Sequence, residues 1–129
     1  MKETNIQQTI RLSLSKIGFK MYRNNVGGLY DINGRWVSFG LKDGSADLIG
    51  FSPRGIFTSV EVKTPVEHRY ILNHWEYLRD GNFKKGTKQY RYQRQIWWHD
   101  SVNQSGGLGF FASCPKEIIR NIKKRVDNL

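Results

Sequence analysis

Apolar residues recur along the chain at two spacings, and the spacing predicts which segments form helices and which form strands. The first apolar set has helical spacing and comprises Ile6, Ile10, Leu14 and Ile17. Residues 4–17 are therefore predicted to form a helix that ends at Gly18. In S-V-E-V-K, residues 59–63, apolar and polar residues alternate strictly, which is the two-residue period of a half-buried strand.

Further strand patterns lie between the first helix and residue 63. They are F-K-M-Y-R-N-N, which runs into a turn at V-G-G, then R-W-V-S-F-G after the Asn33-Gly34 turn, then A-D-L-I-G-F and G-I-F-T-S-V-E-V-K. The stretch S-P-R-G joins the last two and is rich in turn residues. These patterns predict that a meander of strands follows the first helix.

The second half of the chain predicts helices around one more strand. The predicted elements are a helix from about Tyr92 to Gln104, a strand at L-G-F-F-A-S after Gly106-Gly107, and a closing helix that begins at Pro115. Residues from about 64 to 92 break the pattern and form a basic, aromatic-rich insertion, helical in its first part. The predicted fold is α/β, with a mixed central β-sheet flanked by helices in a single domain, residues 1–129.

The charge of the chain indicates the kind of partner it binds. Lys and Arg number 21 against 11 Asp and Glu, which gives a formal net charge of +10. Such an excess on a folded chain indicates a polyanionic partner. The single cysteine permits no internal disulfide, and no stretch has the length and apolarity of a membrane span, so a cytoplasmic protein with no membrane partner is predicted. No P-loop motif is present, so no nucleotide cofactor is indicated.

Polar residues of two predicted strands form a candidate metal site. Glu61 and Lys63 share one face of their strand, and Asp47 begins an apolar strand directly after a glycine-containing turn. If the two strands are adjacent, both carboxylates and the carbonyl of Val62 offer the hard oxygen ligands that Mg²⁺ or Mn²⁺ prefers. Such an ion can hold a phosphodiester and make hydroxide available, with Lys63 as a positive donor beside it. The alternatives are a solvated ion pair of Glu61 with Lys63 and a turn-capping Asp47.

Five motifs in order along the chain resemble those of the VRR-NUC family, within the PD-(D/E)XK nuclease superfamily. They are E-x-x-I-Q at 3–7, R-N-N-V-G at 23–27, F-G-x-x-x-G-S-A-D-L-I-G at 39–50, E-V-K at 61–63 and Q-x-x-W-x-x-x-V-x-x-x-G-G at 95–107. The resemblance covers about residues 3–118 and implies a restriction-endonuclease-like core. Five ordered matches are far more specific than Asp47 and Glu-x-Lys alone.

The resemblance also implies roles for individual residues. Asp47 and Glu61 would hold Mg²⁺ or Mn²⁺ with the Val62 carbonyl, and Lys63 would assist catalysis. Glu3, on the first helix, would be a further acid that reaches the site, with a frayed helix-terminal acid as the alternative.

The family's glutamine would position a water or a phosphate oxygen from the helix near residue 95. Gln95 has the expected spacing to Trp98, Val102 and Gly106, and Gln93 is the alternative. Arg94 stands where the family usually has an acid before this glutamine. The three histidines lack a metal-binding or catalytic motif, so surface or helix-packing roles are predicted for them.

The function implied by the resemblance is a metal-dependent, structure-selective DNA endonuclease of stand-alone phage or viral type, acting in the host cytoplasm and cleaving four-way (Holliday) junctions as a homodimer. The residues expected to contact DNA are Arg23, Asn25, Lys84, Lys85, Lys88 and Arg91. The alternatives are a nuclease of flap or duplex DNA and a catalytically silent DNA-binding module. The insertion is longer than the usual family connection; it either contacts DNA, forms a solvated loop with a small core on Trp75 and Tyr77, or forms a dimer contact.

Overall fold

The structure, a computed structural model, describes residues 2–126. Its helices are α1 (Glu3–Lys16), α2 (Pro65–Asn73), α3 (Trp75–Asp80), α4 (Lys88–Gln104) and α5 (Pro115–Arg125). Its strands are β1 (Lys20–Arg23), β2 (Gly27–Tyr30), β3 (Trp36–Phe39), β4 (Leu48–Phe51), β5 (Phe57–Val62) and β6 (Leu108–Ala112). The predicted first helix, the strand after Gly106-Gly107 and the closing helix at Pro115 are thereby confirmed.

The central sheet is mixed, as the sequence predicted. Its four strands lie in the order β1-β4-β5-β6. The pairs β1-β4 and β4-β5 are antiparallel, whereas β5 and β6 are parallel. A parallel pair requires a long crossover connection, and the chain from β5 to β6 supplies it through α2, α3 and α4.

The predicted meander is wrong in one respect, because β2 and β3 do not join the central sheet. They pair with each other as a separate hairpin, from Gly27 opposite Phe39 to Tyr30 opposite Trp36. The stretch V-G-G, predicted as a turn, contains the first residues of β2. The cause is that β4 occupies the place beside β1, so the intervening chain leaves the sheet and pairs with itself.

Helices cover both faces of the central sheet. Val60 and Val62 are fully buried in the main core, which α1 and α5 complete with Ile10, Leu14 and Ile118. The opposite face of β5 carries Ser59, Glu61 and Lys63, and it lies under α4. The alternation in S-V-E-V-K therefore separates an apolar face from a polar face, and both are buried.

The segment 64–92 contributes helices to the fold rather than only a loop. It contains α2, α3 and the first turn of α4, which begins at Lys88, earlier than predicted, because the Thr87 hydroxyl accepts a hydrogen bond from the Tyr90 N–H at 3.2 Å. A second apolar cluster comprises Ile71, Leu78, Tyr92, Ile96 and Phe111. Trp75 packs against this cluster, as the alternative of a small core on Trp75 and Tyr77 proposed, whereas Tyr77 is 57% exposed.

Within residues 2–126, no helix is long and apolar enough to span a membrane.

Candidate active site

The pairing of β4 with β5 brings Asp47 to Glu61. Leu48 pairs with Val60 in this antiparallel ladder, so one further step places Asp47 opposite Glu61. The Val62 N–H donates a hydrogen bond to Asp47 Oδ2 at 2.9 Å. Asp47 is therefore tied to the end of β5 rather than acting as the turn cap that the alternative proposed.

Asn24 holds the turn that carries Asp47. Its side-chain amide donates to Ser45 Oγ and to the Ala46 carbonyl, both at 2.8 Å, and its N–H donates to the Asp47 carbonyl at 2.8 Å. Asn25, which belongs to the same R-N-N-V-G motif and was predicted to contact DNA, is exposed, and its contact with DNA stays a prediction. The role of Asn24 in this turn was not predicted from the sequence, because it depends on contacts with residues more than 20 positions away.

Glu61 and Lys63 form a buried ion pair, which shows that the solvated alternative is wrong. Only 3% of Glu61 and 4% of Lys63 are exposed, and Lys63 Nζ lies 3.6 Å from Glu61 Oε1. The ammonium also lies 5.2 Å from the centre of the Tyr92 ring. Burying charges costs free energy unless they are well paired, so this arrangement is not one that stability alone favours.

Burial and a neighbouring acid shift the pKa of Glu61. Its pKa is raised well above the usual value, first by burial and then by the negative charge of Asp47, while Lys63 acts in the opposite direction. The pKa of Glu3 is also raised, chiefly by burial; Lys63 lowers it and Asp47 raises it. Glu3, on α1, is therefore within electrostatic reach of the same cluster.

The structure brings Gln95, and not Gln93, to Glu61. Gln95 Nε2 donates a hydrogen bond to Glu61 Oε1 at 3.1 Å. Gln93 Nε2 instead donates to the carbonyls of Arg79 and Gly81, at 3.1 and 2.7 Å, and so fastens the end of α3 to α4. The helical spacing that favoured Gln95 in the sequence thus indicated the residue that faces the sheet.

A buried hydrogen-bond chain fixes this part of α4. Trp98 Nε1 donates to Ser59 Oγ at 2.7 Å, Ser59 Oγ lies 3.4 Å from His99 Nε2, and His99 Nδ1 lies 3.0 Å from the Gln95 carbonyl. A carbonyl only accepts, so Nδ1 carries the proton and Nε2 accepts from Ser59. Burial lowers the pKa of His99 to about 4. His99 therefore has a helix-packing role, as predicted, beside a candidate catalytic residue.

A cavity of about 410 Å³ opens onto the carboxylates. Its lining includes Asp47, Glu61 and Gln95 together with the basic residues Lys85, Arg91 and Arg94. Of the residues predicted to contact DNA, Lys85 and Arg91 are thus at the site. The others are elsewhere: Lys84, Lys88 and Asn25 are exposed outside this lining, and Arg23 lines a separate cavity against α1.

The acids do not form a ready-made metal cage. Within residues 2–126 there is no group of three or more His, Cys, Asp or Glu side chains that could hold a metal ion. Two buried acceptor atoms, Glu61 Oε2 and Gln95 Oε1, have no hydrogen-bond partner among the described residues. Since Mg²⁺ is usually bound by only one or two carboxylates plus water, Asp47 and Glu61 fit such an ion.

Together the fold and the site define a mixed α/β protein with a buried carboxylate–lysine–glutamine cluster beside a basic pocket. Comparison of the chain with protein-family models, with curated proteins and with solved structures found no match. The resemblance to VRR-NUC nucleases therefore stays a prediction that depends on the motifs.

Proposed function

We propose that this chain is a metal-dependent DNA endonuclease with a restriction-endonuclease-like core, of the VRR-NUC type. One observation carries the proposal: Asp47, Glu61 and Gln95 line one pocket, and Lys63 pairs with Glu61 behind it. These residues come from a turn, a strand and a helix that are distant in sequence. A buried cluster with a strongly perturbed carboxyl pKa in a cleft is typical of a functional site.

The residues of this cluster divide the chemistry of phosphodiester hydrolysis among them. Asp47, Glu61 and the Val62 carbonyl would hold Mg²⁺ or Mn²⁺, which supplies hydroxide near neutral pH and neutralises charge on the phosphate. Lys63 offers a buried positive charge for the charge that builds on the phosphate oxygens in the transition state. Gln95 orients Glu61 through its Nε2, and its Oε1 is a buried acceptor without a hydrogen-bond partner among the described residues.

The net charge supports the proposal of a DNA substrate, and an exposed hairpin supports the proposal of a homodimer. A net charge of +10 and the basic pocket lining suit a nucleic-acid backbone.

The β2-β3 hairpin exposes the large apolar residues Leu29, Tyr30, Ile32, Trp36, Val37 and Phe39. Exposed apolar surface of this kind marks an interaction site, and a second copy of the chain is the partner we propose. A homodimer with two sites can make paired cuts, so a four-way junction is the proposed substrate, with flap or duplex DNA as the alternative.

Substitution of Asp47 and Lys63 tests the proposal. We expect Asp47→Ala to abolish cleavage, because Asp47 would hold the metal, and Lys63→Ala to lower the cleavage rate by at least about 100-fold, because Lys63 would stabilise charge on the reacting phosphate. DNA affinity should stay within about a few-fold, since most of the binding free energy comes from phosphate contacts elsewhere. The measurements are single-turnover cleavage with magnesium and DNA binding in a chelator.

Two further variants separate chemistry from folding in that experiment. Asp47→Asn keeps an oxygen that can accept from the Val62 N–H, so it should fold normally and still fail to cleave. Asp43→Ala removes an exposed acid that lines the same pocket and should cleave at the wild-type rate. Equal loss of binding and cleavage in the Asp47 and Lys63 variants would contradict the catalytic assignment.

A catalytically silent DNA-binding module is the second candidate. It is favoured by the lack of a group of three metal-ligating side chains in the described part of the chain. Against it, binding alone requires positive charge and gains nothing from burying Glu61 beside Asp47. Tight DNA binding without cleavage in either metal would favour this alternative.

A further inference from the structure

Arg94 is held in the wall of the pocket by two aromatic rings of its own helix. Its guanidinium carbon lies 4.6 Å from the centre of the Tyr90 ring and 4.8 Å from that of the Trp97 ring. These residues lie one helical turn before and one after Arg94, so α4 presents all three on one face. Stacking on aromatic rings limits the rotation of the guanidinium plane and prepares it for a planar, two-pronged contact.

The guanidinium of Arg94 has unused hydrogen-bonding capacity. Its Nε is buried and has no hydrogen-bond partner among residues 2–126. No carboxylate in that range lies within 4.0 Å of Arg94, although Asp43, Asp47 and Glu61 line the same pocket. Buried donors without partners are rare in folded proteins and require an explanation, for which a bound ligand is one candidate.

The surroundings of Arg94 indicate that the ligand is an anion. Lys85 and Arg91 line the same pocket, and neither forms an ion pair within 4.0 Å to a described residue. The next residue, Gln95, bonds to Glu61, so the anion site adjoins the carboxylate cluster. Arg94 also packs against the Gly44 turn, where an added Cβ would lie 2.9 Å from Arg94 Cβ.

We propose that Arg94 binds a phosphate group of the DNA strand in this pocket, next to the phosphate that is cleaved. This assignment rests on the proposed function for the identity of the strand, and Lys85 and Arg91 continue the contact along it. A guanidinium can donate two parallel hydrogen bonds to a phosphate, which fixes the orientation of the strand over Asp47 and Glu61. Arg94 thus takes over a position where VRR-NUC relatives usually carry an acid.

The test compares Arg94→Gln and Arg94→Lys with the wild type, and uses Arg120→Gln, an exposed arginine of α5 on the other side of the sheet, as the matched control. The probe is a labelled four-way DNA junction bound in a chelator over a series of salt concentrations. Arg94→Gln should weaken binding about tenfold to a hundredfold and lower the slope of log affinity against log salt by about one. Arg94→Lys should restore the slope but not the full affinity, because an ammonium lacks the planar fork.

Thermal unfolding of each variant keeps the result interpretable, and only variants that melt like the wild type are compared. The phosphate assignment is overturned if Arg94→Gln binds with the affinity and salt slope of Arg120→Gln. Because binding is measured without metal, the two proposals fail separately. If the wild type cuts no DNA but Arg94→Gln loses affinity, the nuclease proposal fails and the phosphate site stands. If the wild type cuts and Arg94→Gln binds and cuts normally, only the phosphate site fails.

Discussion

The buried residue His99 supports the site through Gln95 although it does not line the pocket. Its Nδ1 donates to the Gln95 carbonyl, and its Nε2 faces Ser59 under the helix. Because the ring is neutral and enclosed, protonation would place an uncompensated charge beside Gln95. The arrangement of Gln95 therefore depends on the protonation of a residue that does not itself line the pocket.

We predict that His99 makes stability depend on pH. Its folded pKa of about 4 lies below its ordinary value of 6.5, so the unfolded chain binds the proton more tightly. The stabilisation of the folded state by neutral His99 is complete above pH 6.5 and is lost as the pH falls towards 4. The total loss of unfolding free energy is about 3 kcal/mol. The free energy of urea unfolding of His99→Asn should therefore depend less on pH between 4 and 6.5 than that of the wild type. Equal slopes for both proteins would show that His99 is not the titrating group.

At the scale of elements, the turn before β4 sets the geometry of the site. Gly44 has a φ of +91°, a backbone conformation that residues other than glycine rarely adopt. A Cβ at this position would meet Arg94 Cβ at 2.9 Å and the Arg94 carbonyl at 3.1 Å. The second contact is with helix backbone, which cannot move aside as a flexible side chain can. The turn and α4 are thus close-packed around Arg94.

Gly44→Ala is therefore predicted to destabilise the chain and to weaken DNA binding. Gly34→Ala is the matched control, because Gly34 also has a positive φ of +77° but has nothing within 4 Å of the added Cβ. Both should lose about 1 kcal/mol of unfolding free energy from backbone strain, whereas Gly44→Ala should lose more and should also bind DNA less tightly. Equal unfolding free energies and equal affinities for the two variants would contradict the close packing.

The sequence predicted those features of the fold that depend on local periodicity. The helical spacing of Ile6, Ile10 and Leu14 predicted α1, and alternation in β5 predicted its apolar face, because both patterns reflect burial at fixed intervals. Asp47 and Glu61 could be brought together because β4 and β5 are consecutive strands with a short connection.

The remaining features depend on contacts between residues far apart in sequence. The pairing of β1 with β4 and the role of Asn24 involve residues on either side of the β2-β3 hairpin, which has its own strand signals. The helical spacing of Tyr90, Arg94 and Trp97 places the two rings near Arg94 and so could have predicted these contacts. Nothing in the local sequence predicts that the Gly44 turn packs against Arg94. A single sequence contains no local signal for such tertiary contacts.

For the whole molecule, substitutions in the exposed β2-β3 hairpin test whether the chain forms the proposed homodimer. Leu29 and Val37 are cross-strand partners on one face of the hairpin, and both are exposed. The double variant Leu29→Ser/Val37→Ser should shift the protein from dimer to monomer in light scattering coupled to size-exclusion chromatography, because it removes the apolar surface that a partner would bury. Leu12→Ser, which changes an exposed leucine on α1, should leave the dimer intact. A monomeric wild type would contradict the homodimer itself, and a dimer that survives the double variant would place its interface elsewhere.

Whether this chain is a junction endonuclease is decided most directly by cleavage of one labelled strand set assembled as single strand, duplex, flap and four-way junction. Each substrate is incubated with magnesium, manganese or chelator, and Asp47→Asn is run beside the wild type. A metal-dependent junction endonuclease should make symmetric cuts in the junction that require metal and are absent with Asp47→Asn. Tight binding of the junction without cleavage in either metal would contradict it, because Asp47, Glu61 and Lys63 would then be gathered beside a DNA-binding surface without catalysing hydrolysis.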